Sequence, residues 1–239
     1  MKPDRVNSFR LKRPYVLTAV YLFITIMIGV FVSFLPLNGI ECNIVFSLQN
    51  FAQKTIGIQV FQALTYLGDF YLWVVVASIY LLYAYFKSRK HLASAIELAI
   101  FLTIATALTY SIKMVFARQR PNCPGIGVYD MDFISSFSYP SGHVSRATGA
   151  FIILSKGSRT KESLAVIAIF IVSLCRIILG AHYLTDVVGG IFLSIAAQTL
   201  ANLTLTFLAR QKKRGFQNNA DRQDFLWQVL IGLQVGSKA

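Results

Sequence analysis

Long apolar stretches recur along the chain, and short polar segments rich in lysine and arginine separate them. A helix needs roughly 20 apolar residues to cross a bilayer, and about six stretches approach that length. They cover residues 15–35, 70–86, 92–112, 142–154, 163–179 and 186–208, of which the fourth is short and the second borderline. The pattern predicts an all-α fold, a polytopic membrane helix bundle with about six transmembrane helices. We expect one domain at 1–214 and a tail at 215–239.

The segment between the first two stretches has a different pattern. Residues 41–66 mix apolar side chains with asparagine and glutamine, as a helix lying in a membrane interface does. Gly57 divides the segment, which predicts two short helices on the outer side. Packing against the bundle is the alternative, and in either case the segment could shape the entrance for a lipid.

The basic residues indicate the orientation of the spans. Clusters of lysine and arginine lie before the first span and after the second, fourth and sixth, at 2–13, 87–90, 156–161 and 210–214. Short cytoplasmic loops are enriched in these residues, so we expect both termini and the 215–239 tail to be cytoplasmic. The first stretch is longer than a signal-peptide core of roughly 7 to 15 residues and no clear cleavage site follows it, so we expect an uncleaved span.

Composition agrees with a lipid environment and argues against nucleic acid as a partner. The chain is 55% hydrophobic and 14% charged, whereas soluble domains carry about 25% charged residues. The net charge of +13 belongs mostly to the clusters that flank spans and not to one basic domain. We therefore expect the bilayer, and no nucleic acid, as a partner.

Polar residues that could hold a phosphate stand on the predicted outer side. Lys113 and Arg120 are seven positions apart, about two helical turns, so the spacing predicts that both project from one face at the end of the third span. Pro121 would then end that helix. An arginine fork and a lysine point charge suit a phosphate. Snorkelling to the interface is the alternative for this pair.

A second group, Pro140-Ser141-Gly142-His143, marks the predicted start of the fourth span. A helix beginning there would direct the backbone N–H groups of Gly142 and His143 outward, and the Ser141 hydroxyl could complete an anion site. A helix cap with a turn glycine is the simpler alternative, but it does not explain the adjacent histidine.

A third group consists of Arg176, His182 and Asp186. The chain has three histidines, and two of them, His143 and His182, now lie in candidate groups. His182 and Asp186 are four residues apart, so they share a helix face or a loop-to-helix junction. A carboxylate there can fix the imidazole tautomer, which makes His182 a plausible nucleophile, and Asp186 can also cap the sixth span. Arg176 is costly in lipid unless it faces a polar cavity or an anion.

Together these groups resemble the type 2 phosphatidic acid phosphatase family, a membrane group that shares its site with vanadium haloperoxidases and bacterial acid phosphatases. The resemblance rests on three ordered motifs: Lys113-x6-Arg120-Pro121, Pro140-Ser141-Gly142-His143 and Arg176-x5-His182-x3-Asp186. The family usually has serine before the third-motif arginine, and Cys175 stands there in this chain. A thiol is a weak donor, so one hydrogen bond near the phosphate or Arg176 is in doubt.

The resemblance implies a mechanism and roles for these residues. His182 would attack phosphorus to form a phosphohistidine, Asp186 would orient it, and His143 would act as the general acid. The phosphate-binding residues would be Lys113, Arg120, Ser141, Gly142 and Arg176. No acidic cluster offers a metal site, so we expect a metal-independent reaction with no cofactor. Arg118 or Arg146 could meet the second phosphate of a diphosphate, with ion pairing or snorkelling as the alternative.

We therefore expect an integral membrane lipid phosphatase in the cell membrane, with its site on the extracytoplasmic side. The candidate substrates are a polyprenyl diphosphate such as undecaprenyl diphosphate, phosphatidic acid and phosphatidylglycerol phosphate. A lipid-to-lipid phosphotransferase with the same site is one alternative, and an anion transporter or channel is another. The sequence leaves open the lipid, the acceptor, the oligomeric state and whether Cys42 and Cys123 pair.

Two isolated carboxylates outside the motifs have structural interpretations. Asp69, at the outer start of the second span, is expected to cap that helix. Glu97, near the cytoplasmic end of the third span, is expected to snorkel or to pair with Lys90 or His91.

Overall fold

The protein is a bundle of α-helices joined by connecting segments, and the structure, a computed structural model, describes residues 4–35, 38–129 and 137–215. One-turn 3-10 helices lie at Tyr66–Gly68 and Arg89–His91. The eight α-helices of the described residues are α1 (Asp4–Phe34), α2 (Asn38–Thr55), α3 (Ile58–Thr65), α4 (Phe70–Phe86), α5 (Leu92–Phe116), α6 (Gly142–Ser155), α7 (Arg159–Ile178) and α8 (Leu184–Gly215). The predicted tail beyond Gly215 lies outside the described residues.

Each apolar stretch predicted to be a span is a helix, so the all-α expectation is confirmed. Three helical segments of the described chain are long and apolar enough to cross a membrane, namely Pro14–Phe34, Leu92–Phe116 and Leu184–Gln211. The pair Ile58–Gly68 and Phe70–Phe86, bent by 46°, would make a fourth span if it crosses as one unit. Crossing by α6 and α7, and so the count of six, stays a prediction.

The segment 38–68, which we call the α2–α3 segment, forms the two short helices that the sequence predicts. Gly57 separates them with a φ of 92°, a conformation that favours glycine. The segment packs against the bundle: Ala52 and Phe61 share a buried apolar cluster with Cys175 of α7 and with Leu179, the residue that follows α7. Of the two alternatives that the sequence left open for this segment, the structure shows packing.

Helix α6 is the central element, because residues 141–150 are all buried. Its alanines and glycines let neighbouring helices approach closely, as small residues do in membrane bundles. Gly190 of α8 shows how close: a Cβ there would stand 2.7 Å from the backbone oxygen of Ser141. The start of α6 is therefore held directly against α8.

At the end of the bundle away from Gly142, Glu97 of α5 forms a different ion pair from the one predicted. Lys156 Nζ lies 2.7 Å from both carboxylate oxygens of Glu97, and Gln198 Nε2 donates to the same carboxylate at 2.9 Å. The predicted partners of Glu97, Lys90 and His91, are wrong because the end of α6 comes to lie beside the second turn of α5. The predicted cap is confirmed: Asp69 accepts hydrogen bonds from Tyr71 N and Leu72 N.

Gly190→Ala tests the contact between α6 and α8. The added methyl group meets backbone and not a flexible side chain, so the helices must separate, and we expect the free energy of unfolding to fall by about 1–3 kcal/mol. Gly39→Ala is the matched control, since nothing lies within 4 Å of its Cβ position. Thermal unfolding of both variants in detergent measures the difference. Equal stability of the two variants would contradict the close approach.

Candidate active site

The first motif does not lie on one continuous helix as predicted. Helix α5 ends at Phe116, and Ala117 takes a left-handed conformation with φ 44° while its N–H bonds to Lys113 O. Lys113 is thus in the last turn of α5, and Arg120 lies in the connecting segment beyond it. The prediction of a shared helix face, with Pro121 as the helix end, is wrong because this cap turns the chain three residues before Arg120. Lys113 Nζ donates to Phe137 O, and Arg120 Nη1 donates to Ala181 O at 2.9 Å.

The second motif starts helix α6 where the sequence predicts. Ser141 is the N-cap residue, but its side chain makes no capping hydrogen bond. The buried Ser141 Oγ has no hydrogen-bond partner among the described residues, which argues against the simple cap as its role. The helix geometry leaves the first N–H groups, including that of Gly142, without intrahelical acceptors. This end of α6 has the donors that an anion needs.

His143, one residue into α6, is buried against the 3-10 turn that precedes α4. A Cβ at Gly68 would stand 2.8 Å from His143 Cβ, so only glycine fits there. Arg146 Nε donates to Gly68 O at 3.2 Å, and Arg146 Nη2 lies 3.5 Å from His143 Nδ1. A guanidinium has no acceptor, so this contact favours a lone pair on Nδ1 and the ring proton on Nε2. The contact occupies Nδ1, so Nε2 is the ring nitrogen left to exchange a proton with a substrate.

The third motif is a loop-to-helix junction, one of the two forms predicted for His182 and Asp186. Asp186 lies in the first turn of α8, where its Oδ2 accepts from Tyr183 N at 2.8 Å as in a capping box. His182 Nδ1 lies 3.6 Å from the same Oδ2, and both side chains are fully buried. The backbone N–H of His182 donates to Arg176 O at 3.2 Å. Arg176 is fully buried, and its Nη1 donates to Thr65 Oγ1 at 3.1 Å.

Direct hydrogen bonds join the three motifs. Asp186 is the common member: its backbone oxygen accepts from Ser141 N at 3.0 Å, and its Oδ1 accepts from Arg118 Nη1 at 2.6 Å. Arg120 reaches the residue before His182 through Ala181 O. The structure thus brings residues up to 68 positions apart in the chain into direct contact at one end of the bundle. Every site residue predicted from the sequence belongs to this connected region or borders it.

Arg118 lies between two carboxylates instead of standing free for a substrate. Its guanidinium bonds to Glu41 and to Asp186, and its central carbon lies 4.3 Å from the centre of the Tyr183 ring. Burial alone would lower the pKa of Arg118, but the carboxylates of Asp186 and Glu41 raise it above its ordinary value. The guanidinium therefore stays charged and engaged. Of the two arginines considered for a second phosphate, Arg118 is the less suited.

The α2–α3 segment contacts residues of the site directly, whereas its sequence pattern predicted at most a role in shaping the entrance for a lipid. Glu41 bonds to Arg118, Thr65 accepts from Arg176, and Gly68 contacts both His143 and Arg146. One signal was present in the sequence: Glu41 is the only acidic residue between residue 5 and Asp69. Thr65 and Gly68 carry no signal of this kind, because threonine and glycine are common in helix ends and turns.

A disulfide joins Cys42 to Cys123, the pairing that the sequence left open. The Cα atoms are 5.8 Å apart, and the bond closes a loop between residues separated by 81 positions. Cys42 follows Glu41 directly, and Cys123 follows Arg120 by three residues. The disulfide therefore fixes the α2–α3 segment to the segment that carries the first motif.

Cys175 replaces the usual family serine in an apolar setting. The residue is fully buried in a cluster with Ala52, Ile58 and Phe61 of the α2–α3 segment. A free cysteine behaves as a small hydrophobic residue, so it suits this contact better than a hydroxyl would. Packing against α2 and α3 accounts for the substitution.

The hydrogen-bond donors of the site are mostly the cationic side chains of lysine and arginine, and the Ser141 hydroxyl and the two imidazoles lie beside them. Within the described residues, no group of three or more His, Cys, Asp or Glu side chains is placed to hold a metal ion. The fold and the site thus define a membrane-type helical bundle with buried cationic side chains beside a paired histidine and aspartate.

Comparison with known proteins identifies the family. The sequence profile of the PAP2 superfamily matches residues 94–210. An undecaprenyl-diphosphatase of Sulfolobus acidocaldarius is 31% identical over 71% of this chain and 84% of its own length. The decaprenylphosphoryl-5-phosphoribose phosphatase of Mycobacterium tuberculosis is 33% identical over 46% of this chain, and the match spans 61% of that protein's length. The chain belongs to the PAP2 superfamily, of which the type 2 phosphatidic acid phosphatases are members.

Two solved structures share the fold. A transmembrane PAP2-type phosphatidylglycerolphosphate phosphatase from Bacillus subtilis superposes with a TM-score of 0.57 at 21% identity, covering 85% of this chain and 98% of that one. LpxE of Aquifex aeolicus superposes with a TM-score of 0.54 at 24% identity, covering 65% of this chain and 91% of that one. Both likenesses support the helical architecture described above.

Removal of the disulfide tests its role in holding the site together. For the variant with Cys42→Ser and Cys123→Ser, we expect the free energy of unfolding to fall by about 2–4 kcal/mol, because the open loop gains freedom in the unfolded chain. Thermal unfolding with and without dithiothreitol measures this. The reductant should lower the melting temperature of the wild type and leave that of the double variant unchanged. Three reactive thiols in the denatured wild type without reductant would contradict the bond.

Proposed function

We propose that the protein is an integral membrane lipid phosphatase that hydrolyses the phosphate or diphosphate headgroup of a membrane lipid. One observation carries the proposal: direct hydrogen bonds join all three motifs around Asp186, beside His182. A buried histidine next to a fixed carboxylate is the arrangement of an activated nucleophile. Buried cations in the same region suit the negative charge of a phosphoryl group.

In the proposed reaction, His182 attacks phosphorus in line with the bond to the lipid oxygen. A phosphorus–nitrogen bond forms, the phosphorus–oxygen bond breaks, and His143, in its doubly protonated imidazolium form, gives one proton to the leaving oxygen and becomes neutral. Water then attacks the phosphohistidine and loses its proton to His143, which releases phosphate and restores both histidines. Asp186 orients His182 and stabilises its positive charge in the intermediate.

Phosphate binding in this proposal falls to Lys113, Arg120 and Arg176, together with Ser141 Oγ and the N–H of Gly142. Their charges and donors would neutralise the equatorial oxygens as the transition state forms, without water having to reorganise. We propose that this cationic set replaces a metal ion, so that the reaction is metal-independent and uses no cofactor.

The proposed site faces the extracytoplasmic side of the cell membrane, with both termini cytoplasmic. The basic loops support this orientation, because α4, α6 and α8 all run from the site towards such a loop. The disulfide between Cys42 and Cys123 at the site end supports it independently, since disulfides persist in oxidising compartments. We propose six spans, including α6 and α7.

The proposed substrate class is a lipid whose phosphate lies at headgroup level. Large apolar side chains are exposed along the helices, such as Phe23 on α1, Ile79 on α4 and Phe170 on α7, as expected for faces that contact lipid. Among the candidates we favour a polyprenyl diphosphate, because the relative matched over most of its length is an undecaprenyl-diphosphatase. Phosphatidic acid and phosphatidylglycerol phosphate are the other candidates.

A lipid panel tests the proposed function. Purified protein in detergent, with EDTA present, is expected to release orthophosphate from at least one of undecaprenyl diphosphate, phosphatidic acid and phosphatidylglycerol phosphate. His182→Ala should abolish release, and His143→Ala should lower kcat by about 100-fold or more, the usual size of a general acid's contribution. Wild-type protein quenched during turnover in alkaline denaturant, where the phosphorus–nitrogen bond is stable, should carry phosphate on a histidine.

The same panel separates the alternatives. Transfer to a second lipid without orthophosphate would identify a phosphotransferase, and loss of activity with EDTA would contradict a metal-independent reaction. Phosphate release by His182→Ala at the wild-type rate would refute the nucleophile assignment. Anion transport that survives His182→Ala would instead identify a transporter.

Arg146 provides a test of the diphosphate hypothesis. It is buried at 7% exposure beside His143, so a substrate's second phosphate near the general acid would lie within its reach. For Arg146→Ala we expect kcat/KM to fall about tenfold more for a polyprenyl diphosphate than for the monophosphate, the worth of one charge-assisted hydrogen bond. Equal falls for the two substrates would contradict the hypothesis and assign Arg146 to the orientation of His143.

A further inference from the structure

Glu41 is a buried carboxylate outside the three motifs, and it contacts the proposed catalytic region at several points. Its Oε2 accepts from Arg118 Nη2. Its Oε1 accepts from Thr185 N at 3.1 Å and from Thr185 Oγ1 at 2.7 Å. The side chain is 5% exposed. Both carboxylate oxygens are therefore engaged, one with Arg118 and one with the first turn of α8.

Arg118 connects Glu41 to the proposed nucleophile pair. One guanidinium nitrogen bonds to Glu41, and the other bonds to Asp186 Oδ1 at 2.6 Å. The opposite oxygen of Asp186 lies 3.6 Å from His182 Nδ1. A continuous chain of contacts thus runs from Glu41 through Arg118 and Asp186 to His182. We propose, on the basis of the proposed phosphatase function, that Glu41 is a positioning residue that acts on His182 through Arg118 and Asp186.

The charges explain why a second carboxylate is needed. Asp186 paired with Arg118 alone would have its negative charge cancelled by the guanidinium, and it would stabilise a positive His182 poorly. Two carboxylates around one guanidinium leave one net negative charge close to the imidazole. This charge matters most when His182 becomes positive on forming its bond to phosphorus, because electrostatic effects are strong where water is excluded.

Geometry adds a second effect. Arg118 is held on both sides and stacked on Tyr183 at 4.3 Å, so Asp186 has little freedom to turn away from His182. Without Glu41, the guanidinium would lose one anchor and could rotate with the Asp186 carboxylate. Glu41 is next to Cys42, whose disulfide to Cys123 ties Glu41 to the segment that carries Arg120.

A double-mutant cycle tests the proposal on the full-length protein. For Glu41→Gln, we expect kcat to fall roughly tenfold or more, the usual effect of losing a residue that orients a reactive side chain. KM should stay within about twofold, because the proposed phosphate ligands are intact. Arg118→Gln should lower kcat similarly, and the double variant should be no worse than Arg118→Gln alone, since residues in one chain of contacts are not additive.

The matched control is Glu97→Gln, which makes the same change in another buried, ion-paired glutamate at the far end of the bundle. Its melting temperature should fall while its kcat keeps the wild-type value. Glu41→Asp, which retains the carboxylate, should recover part of the kcat. If Glu41→Gln gives no folded protein, the same cycle is measured with Glu41→Asp and Arg118→Lys. Each of these variants keeps its charge but lengthens the contact between the two side chains, so their losses in kcat should again not multiply.

A second readout does not depend on turnover. The chain has only three histidines, so histidine 15N signals can be assigned with single His→Gln variants. Glu41→Gln should change the tautomer signals of His182 and leave those of His91 and His143 unaltered, and Glu97→Gln should leave His182 unaltered.

Three results would overturn the proposal: a wild-type kcat in Glu41→Gln, losses that multiply in the double variant, or His182 signals that Glu41→Gln does not move. Failure of the proposed function is distinguishable from all of these. It would show as a wild-type protein that releases no phosphate from any lipid, while the histidine signals still report whether Glu41 acts on His182.

Discussion

Asp186 is a fully buried carboxylate in a bundle of largely apolar helices, and the arrangement of the site depends on compensating its charge. Burial of an ionised carboxylate is very costly unless donors and cations surround it. Here the compensation comes from a backbone N–H of its own helix turn, from Arg118 and from the ring of His182. Two of these partners belong to the third motif itself, and Arg118 belongs to the first, so satisfying one carboxylate holds these two motifs together.

The packing of the bundle makes this compensation possible. Ser141 N can donate to the backbone oxygen of Asp186 only because α6 lies directly against α8, where Gly190 leaves room for the Ser141 carbonyl. Gly68 does the same on the other side of α6, where it lets the 3-10 turn before α4 approach His143. The site therefore needs small residues as much as charged ones. A methyl group at either glycine would separate the elements that the hydrogen bonds join.

The sequence predicted the helices well, because apolar runs and basic clusters are local signals. The family resemblance implied that the three motifs would lie together, and the start of α6 at Gly142 followed from the residues around it. The left-handed cap at Ala117 could not be predicted, since alanine rarely adopts that conformation and nothing in its neighbours requires it. The partners of Arg118 and Glu97 were missed for another reason: they are set by which helix ends lie side by side, and that is a property of the whole bundle.

The α2–α3 segment shows how the site is divided between the residues of the motifs and the residues that surround them. The family profile covers residues 94–210, which contain all three motifs, whereas Glu41, Cys42, Thr65 and Gly68 lie before it. Yet these four residues contact or anchor the groups around both histidines. The motifs supply the groups that would react, and this segment fixes their orientation and charge. Substitutions in the segment can therefore change the geometry around His143 and His182 while every motif residue stays in place.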